Sequence, residues 1–233
     1  MIQAATTLQA ISSHHPLFET VLERYSLRYS DPGSESGEGL PVGVACKQAS
    51  INSDFLIEIL RVFEFPQSFD AEKLKLFPIP VILDYLYRTH QYYQNKRLAE
   101  IELSVDRIAE VYGQQHPLLV LLRSFFQRYK NQLAGHIAAE EKALFPHAQN
   151  VYEARLNGNA VNDDFDYEQF LHGHGEDELD LPLREIQRLV ERRHPEVKTL
   201  FPYNVLNWQL NALQQDLWIH ERVEEDVLIE MLR

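Results

Sequence analysis

The residues most able to do chemistry lie between Gln132 and Leu144, QLAGHIAAEEKAL. His136 and Glu140 stand at i and i+4, so on a helix both side chains leave one face, roughly 6 Å apart along its axis. The pattern H-x3-E-E-x2-L returns as His220, Glu224, Glu225 and Leu228. A histidine followed four residues later by a glutamate is common by itself. The chain has five such pairs: His15/Glu19, His136/Glu140, His172/Glu176, His174/Glu178 and His220/Glu224. The second and fifth sit mid-way along long amphipathic stretches, and each has a histidine at the same distance upstream. From His90 to His136 is 136 − 90 = 46 residues, and from His174 to His220 is 220 − 174 = 46. The second half repeats the first.

Four long helical patterns must position these groups. The first, about 82–112, sets Ile82, Leu86, His90, Tyr93, Ile101, Val105, Ile108 and Val111 along one stripe. The second, about 118–149, follows His116-Pro117 and runs through Leu122, Phe125, Tyr129, Leu133, His136, Ile137 and Leu144. The third, about 167–193, is the least regular, because Gly173, Gly175 and Pro182 interrupt it; a kink near Pro182 or a late start is expected. The fourth, about 204–232, carries Leu206, Leu210, Leu213, Leu217, His220, Val223, Val227 and Met231. No strand-period segment competes, so the chain reads as all-α, an up-down-up-down four-helix bundle over residues 79–233. Residues 1–65 read as a small helical domain, with a loop over 30–43 and a helix after Asn52 or Ser53 that stops before Pro66. Residues 66–78 read as a linker.

In an antiparallel bundle the helix middles meet at one level, which would bring His90, His136 and His220 together, with His174 from the third helix. Histidines and carboxylates in an apolar interior are costly to leave unpaired, and a metal relieves that cost. Two helices giving His plus Glu and two giving one His supply four nitrogens and two carboxylates. That is too many donors for one tetrahedral zinc, and a dinuclear iron or manganese centre fits better. The ferritin-like alternative needs Glu-x-x-His on two helices, and this chain does not carry that spacing twice.

Composition agrees. The single Cys46 removes disulfide scaffolds, thiolate zinc sites and iron–sulfur ligation within one chain. The net charge of −13 argues against nucleic-acid binding. Neither a signal-peptide pattern near Met1 nor a run of about 18 apolar residues is present, so a cytoplasmic protein away from membranes is the expectation.

HIAAEEKALFP and HERVEEDVLIE, with His90 and His174 ahead of them, resemble the hemerythrin-like di-iron domain over about residues 79–233. The resemblance implies His90, His136, His174 and His220 as ligands, with Glu140 and Glu224 bridging two non-haem iron ions joined by an oxo group. Manganese or zinc are the less favoured occupants. The third helix departs from the family at HGHGEDELDLP, which leaves His172 as a rival to His174. The N-terminal TLQAISSHHPLFETVLERYSLRYSDPG resembles the short domain that precedes the hemerythrin-like domain in repair-of-iron-centres proteins, without their Cys-Cys pair. That likeness implies iron–sulfur cluster repair or defence against nitric oxide and oxidative stress. The alternative is reversible O2 or NO binding or sensing without turnover, so enzymatic activity stays open. Expected partners are NO, O2, damaged iron–sulfur proteins and, through the N-terminal unit, a second copy of the chain.

Other residues carry weaker expectations. Asp216, one turn before His220, either orients that imidazole or is a solvated acid. His116 and His194 precede prolines in connections and are expected to be exposed. His147 is expected outside the ligand set, and Tyr85, Tyr87, Tyr92 and Tyr93 are read as packing.

Overall fold

The computed structural model describes residues 2–27, 39–160, 165–174 and 177–233, with the side chains of 171–183 outside the description. The chain is all-α, a helical bundle preceded by a small helical part. Among the described residues the only extended pairing is an isolated bridge between Thr7 and Pro41. Two compact units are present, residues 1–89 with 215–233, and residues 90–214.

The first unit opens with α1 (Leu8–His14) and α2 (Pro16–Arg24). The sequence reads residues 7–25 as one helical segment with a turn at Ser12 and Ser13. The break falls instead at His15, which is held extended ahead of Pro16. A short α3 (Val42–Gln48) occupies the end of the expected loop. α4 (Ser53–Glu64) begins where expected, with Asn52 Oδ1 accepting from the Phe55 backbone N–H at 3.0 Å, and ends two residues before Pro66. The stretch read as a linker holds a 3₁₀ turn, Pro66–Ser68, and α5 (Ala71–Leu74), capped by Asp70. α6 (Ile79–Tyr92) packs Tyr85 edge-on against Phe55, with ring centroids 5.8 Å apart. The C-terminal helix is tied to this part by Gln215, whose Nε2 donates to Phe63 O at 2.8 Å, and by Trp218 against Phe69.

In the second unit a π-helical turn, Tyr93–Arg97, leads into α7 (Leu98–Tyr112). The wider turn inserts one residue into the helical phase. Leu98, Ile101, Val105 and Ile108 therefore carry the buried stripe onward while Val111 is exposed, against the expectation for that residue. α8 (Pro117–Lys142) packs along α7, where Gln127 and Lys130 both donate to Glu102. Those two bonds, Gln127 foremost, hold the Glu102 carboxyl below its ordinary range.

The expected single second helix divides at Ala143, and α9 (Leu144–Leu156) continues it. Pro146 is the cause: it has no N–H for the Lys142 carbonyl, and its ring crowds that carbonyl. Of the third pattern, two helical stretches are described, α10 (Tyr167–His174) and α11 (Asp177–Arg193), the latter carrying Pro182 within it. α11 packs on α8. After a 3₁₀ turn at Pro195–Thr199, α12 (Phe201–Val223) runs on through a second π turn, Glu224–Ile229, into α13 (Glu230–Leu232). Arg97 Nη2 donates to Gln209 O at 3.0 Å and the guanidinium lies over Trp208.

Candidate metal centre

His90 reaches its position because Ile82, Leu86 and Tyr93 bury the same face of the first helix. On α8, Leu133 and Ile137 turn Glu140 inward by the same periodicity. Both His90 and Glu140 are fully buried, at 0% exposure. Glu140 Oε2 is 3.0 Å from His90 Nε2, and Glu140 Oε1 contacts His136 Nε2. One carboxylate therefore presents one oxygen to each of two imidazoles from different helices. Phe145 stacks on the His90 ring at 5.3 Å and 8° between planes, which fixes the ring's tilt.

Glu141, to which the sequence pattern assigns no role, lies 3.0 Å from His90 Nδ1. A carboxylate only accepts, so in this hydrogen bond Nδ1 carries the proton. In a neutral ring Nε2 then offers a lone pair, and it faces Glu140 Oε2, another acceptor. Two such atoms 3.0 Å apart in a dry interior need a positive charge between them. A metal cation bound by imidazole Nε2 and carboxylate, with the far imidazole nitrogen anchored on a second carboxylate, satisfies every atom of the group. The residues present fit a metal.

The remaining expected ligands fall as follows. His220 and Glu224 are buried in the other unit, at 2% and 5% exposure, and Glu224 opens the second π turn. π turns thus begin three residues after His90 and at Glu224 itself, a feature common at functional sites that apolar spacing alone does not reveal. The side chains of His174 and His172 lie outside the described residues.

Asp216 is 2% exposed, so it is not a solvated acid. It forms a buried ion pair with Arg24 of α2, whose Nη1 also donates to Thr89 Oγ1 at 3.2 Å. His147 Nε2 pairs with Tyr167 OH at 2.7 Å, and the His147 ring stacks on Phe165. Tyr85, Tyr92 and Tyr93 are buried while Tyr87 is half exposed. Burial, the largest influence, raises the Tyr85 phenol.

Residues 81–232 match the hemerythrin HHE cation binding domain, and the chain belongs to that family. It is also similar to the iron-sulfur cluster repair protein ScdA of Staphylococcus haemolyticus (strain JCSC1435), 20% identical over 147 residues covering 63% of each chain. The chain thus spans less than two thirds of that relative's length. Among the described residues no helix is long and apolar enough to cross a membrane.

Proposed function

We propose that the chain is a non-haem di-iron protein acting in iron–sulfur cluster repair or in defence against nitric oxide and oxidative stress. The observation that carries this reading is the fully buried Glu140 carboxylate set between the His90 and His136 imidazoles. Family membership and the likeness to a repair protein support it. His90, His136, His174 and His220 are the residues that would hold the metal through imidazole, with Glu140 and Glu224 as the carboxylates. Glu141 holds His90 in the tautomer that ligation requires, and Phe145 shields the ring. Held by these residues, iron would supply one-electron chemistry and a coordination position for NO or O2, or would itself be the cargo for a damaged cluster.

A second reading, reversible O2 or NO binding or sensing, is favoured by the state of Cys46. That thiol is fully buried, and burial pushes its pKa up to about 11. A buried neutral thiol is a poor nucleophile, so the N-terminal unit offers no thiol chemistry through Cys46. The unit then serves as packing or as an interaction module, for instance for a second copy of the chain.

The test uses the reduced, iron-loaded protein and the His136→Ala variant. Consumption of NO, or reactivation of an oxidatively damaged iron–sulfur hydro-lyase, by the wild type and not by the variant supports the first reading. Stoichiometric, reversible gas binding with neither activity supports the second. A protein that takes up no iron refutes both.

A further inference from the structure

The two His-Pro dipeptides, expected to be exposed, meet one another. His116 is the N-cap of α8 and His194 the N-cap of the 3₁₀ turn Pro195–Thr199; neither side chain makes a capping hydrogen bond. A residue before proline is held away from the helical region. Both histidines accordingly share one non-helical backbone conformation, φ −131° and ψ 78° at His116, φ −134° and ψ 65° at His194. Both side chains are mostly covered, at 11% and 25% exposure. Their rings sit 4.9 Å apart at 74°, and Glu196 closes the group.

Three atoms form a nearly equilateral triangle. His116 Nδ1 to His194 Nδ1 is 3.2 Å, His194 Nδ1 to Glu196 Oε1 is 3.2 Å, and His116 Nδ1 to Glu196 Oε1 is 3.3 Å. Hydrogen bonds cannot satisfy all three edges. If both Nδ1 atoms donate to the carboxylate, two N–H groups face each other across the third edge. If either gives up its proton, one edge to the carboxylate joins two acceptors. The Glu196 carboxyl is held below its ordinary range, first by its own backbone N–H and then by the two imidazoles, so it presents a charged oxygen. A cation just above the plane of the triangle satisfies all three atoms at once. A regular tetrahedron with these edges has its centre about 2.0 Å from each corner, the length of zinc–imidazole and zinc–carboxylate bonds.

We propose that His116, His194 and Glu196 form a second metal site, a His2Glu set for zinc or a cation of the same class. The fourth position is open to water on the side of the half-exposed Glu196. This set shares no residue with the centre around Glu140 and does not rest on the function proposed above. Zinc there clips the α7–α8 connection to the connection that leads into α12.

The test is equilibrium zinc uptake by the full chain with its iron loaded, compared with His194→Asn and Glu196→Gln. Asparagine keeps a good helix-capping residue, and iron content and helicity report that each variant is folded. The expected result is one further zinc per wild-type chain, bound at least tenfold more weakly by each variant, at unchanged iron content. Cobalt in place of zinc should give the intense visible bands of a tetrahedral site in the wild type alone. Zinc bound equally by wild type and variants is an adventitious ion only, and with it, or with no uptake by the wild type, the proposal fails.

Discussion

Arg24 and Asp216 are 192 positions apart in sequence and are joined as a buried ion pair, with side-chain exposures of 0% and 3%. The Arg24 guanidinium also donates to Thr89 and lies 5.7 Å from the centre of the Phe63 ring. Arg24→Met keeps much of the stem's packing but leaves the Asp216 carboxylate buried without its cation. Breaking a buried pair on one side costs about 3–5 kcal/mol. At ~2–4 °C per kcal/mol for a chain of this size, the melting temperature should fall by roughly 6–20 °C. The double variant Arg24→Met/Asp216→Leu removes both charges, and such replacements are often neutral or stabilising. It should therefore melt close to the wild type and well above Arg24→Met. The assay is thermal and urea unfolding of metal-free protein for the complete double-mutant cycle. A single-variant loss below about 1 kcal/mol, or additive effects in the double variant, would refute the claim that this pair is desolvated and coupled.

Other expectations follow from single contacts. Glu141→Gln keeps an acceptor for His90 Nδ1 but loses the charge, so iron stoichiometry should persist while affinity drops about 10–100-fold, as chelator competition would read. Asn52→Ala removes the cap of α4 and should lower stability by about 1 kcal/mol in urea unfolding. Cys46 should resist thiol reagents at pH 8 in the folded chain and react at once in denaturant. The thiol is raised to about 11 in the folded state, so between its ordinary value and pH 11 the unfolded chain loses this proton while the folded chain keeps it. The Cys46 contribution therefore makes stability fall with pH across that window, and Cys46→Ala should flatten the fall; an equal slope in both proteins would contradict the assignment.

The parts of this molecule that depend on local geometry are legible in its amino-acid sequence. The i, i+4 pairing of His136 with Glu140 and the buried face carrying His90 are properties of single helices, and Asn52 caps α4 by contacts within three residues. Pairings between helices are not legible in the same way. Which carboxylate meets His90 Nδ1 depends on how the end of α6 lies against α8, so spacing alone does not separate Glu141 from the neighbouring Glu140. The π turns at Tyr93–Arg97 and Glu224–Ile229 each add one residue to the phase, a change small enough to leave the apolar stripe readable. Pro146 is a plain helix-breaking signal, but the LFP run around it reads as part of a motif rather than as the break at Ala143. His116 and His194 read as exposed because connections usually are, and nothing in the spacing brings two loops together.

That the Glu140 cluster holds metal is tested most directly by counting iron per folded chain in the wild type, His136→Ala and Glu140→Gln after iron-replete expression, with helicity measured alongside. Two irons are expected in the wild type, with charge-transfer absorption in the near-UV and visible, and loss of iron and absorption in both variants at unchanged helicity. A metal-free wild type, or variants that keep their full iron, would contradict a metal centre built on this carboxylate.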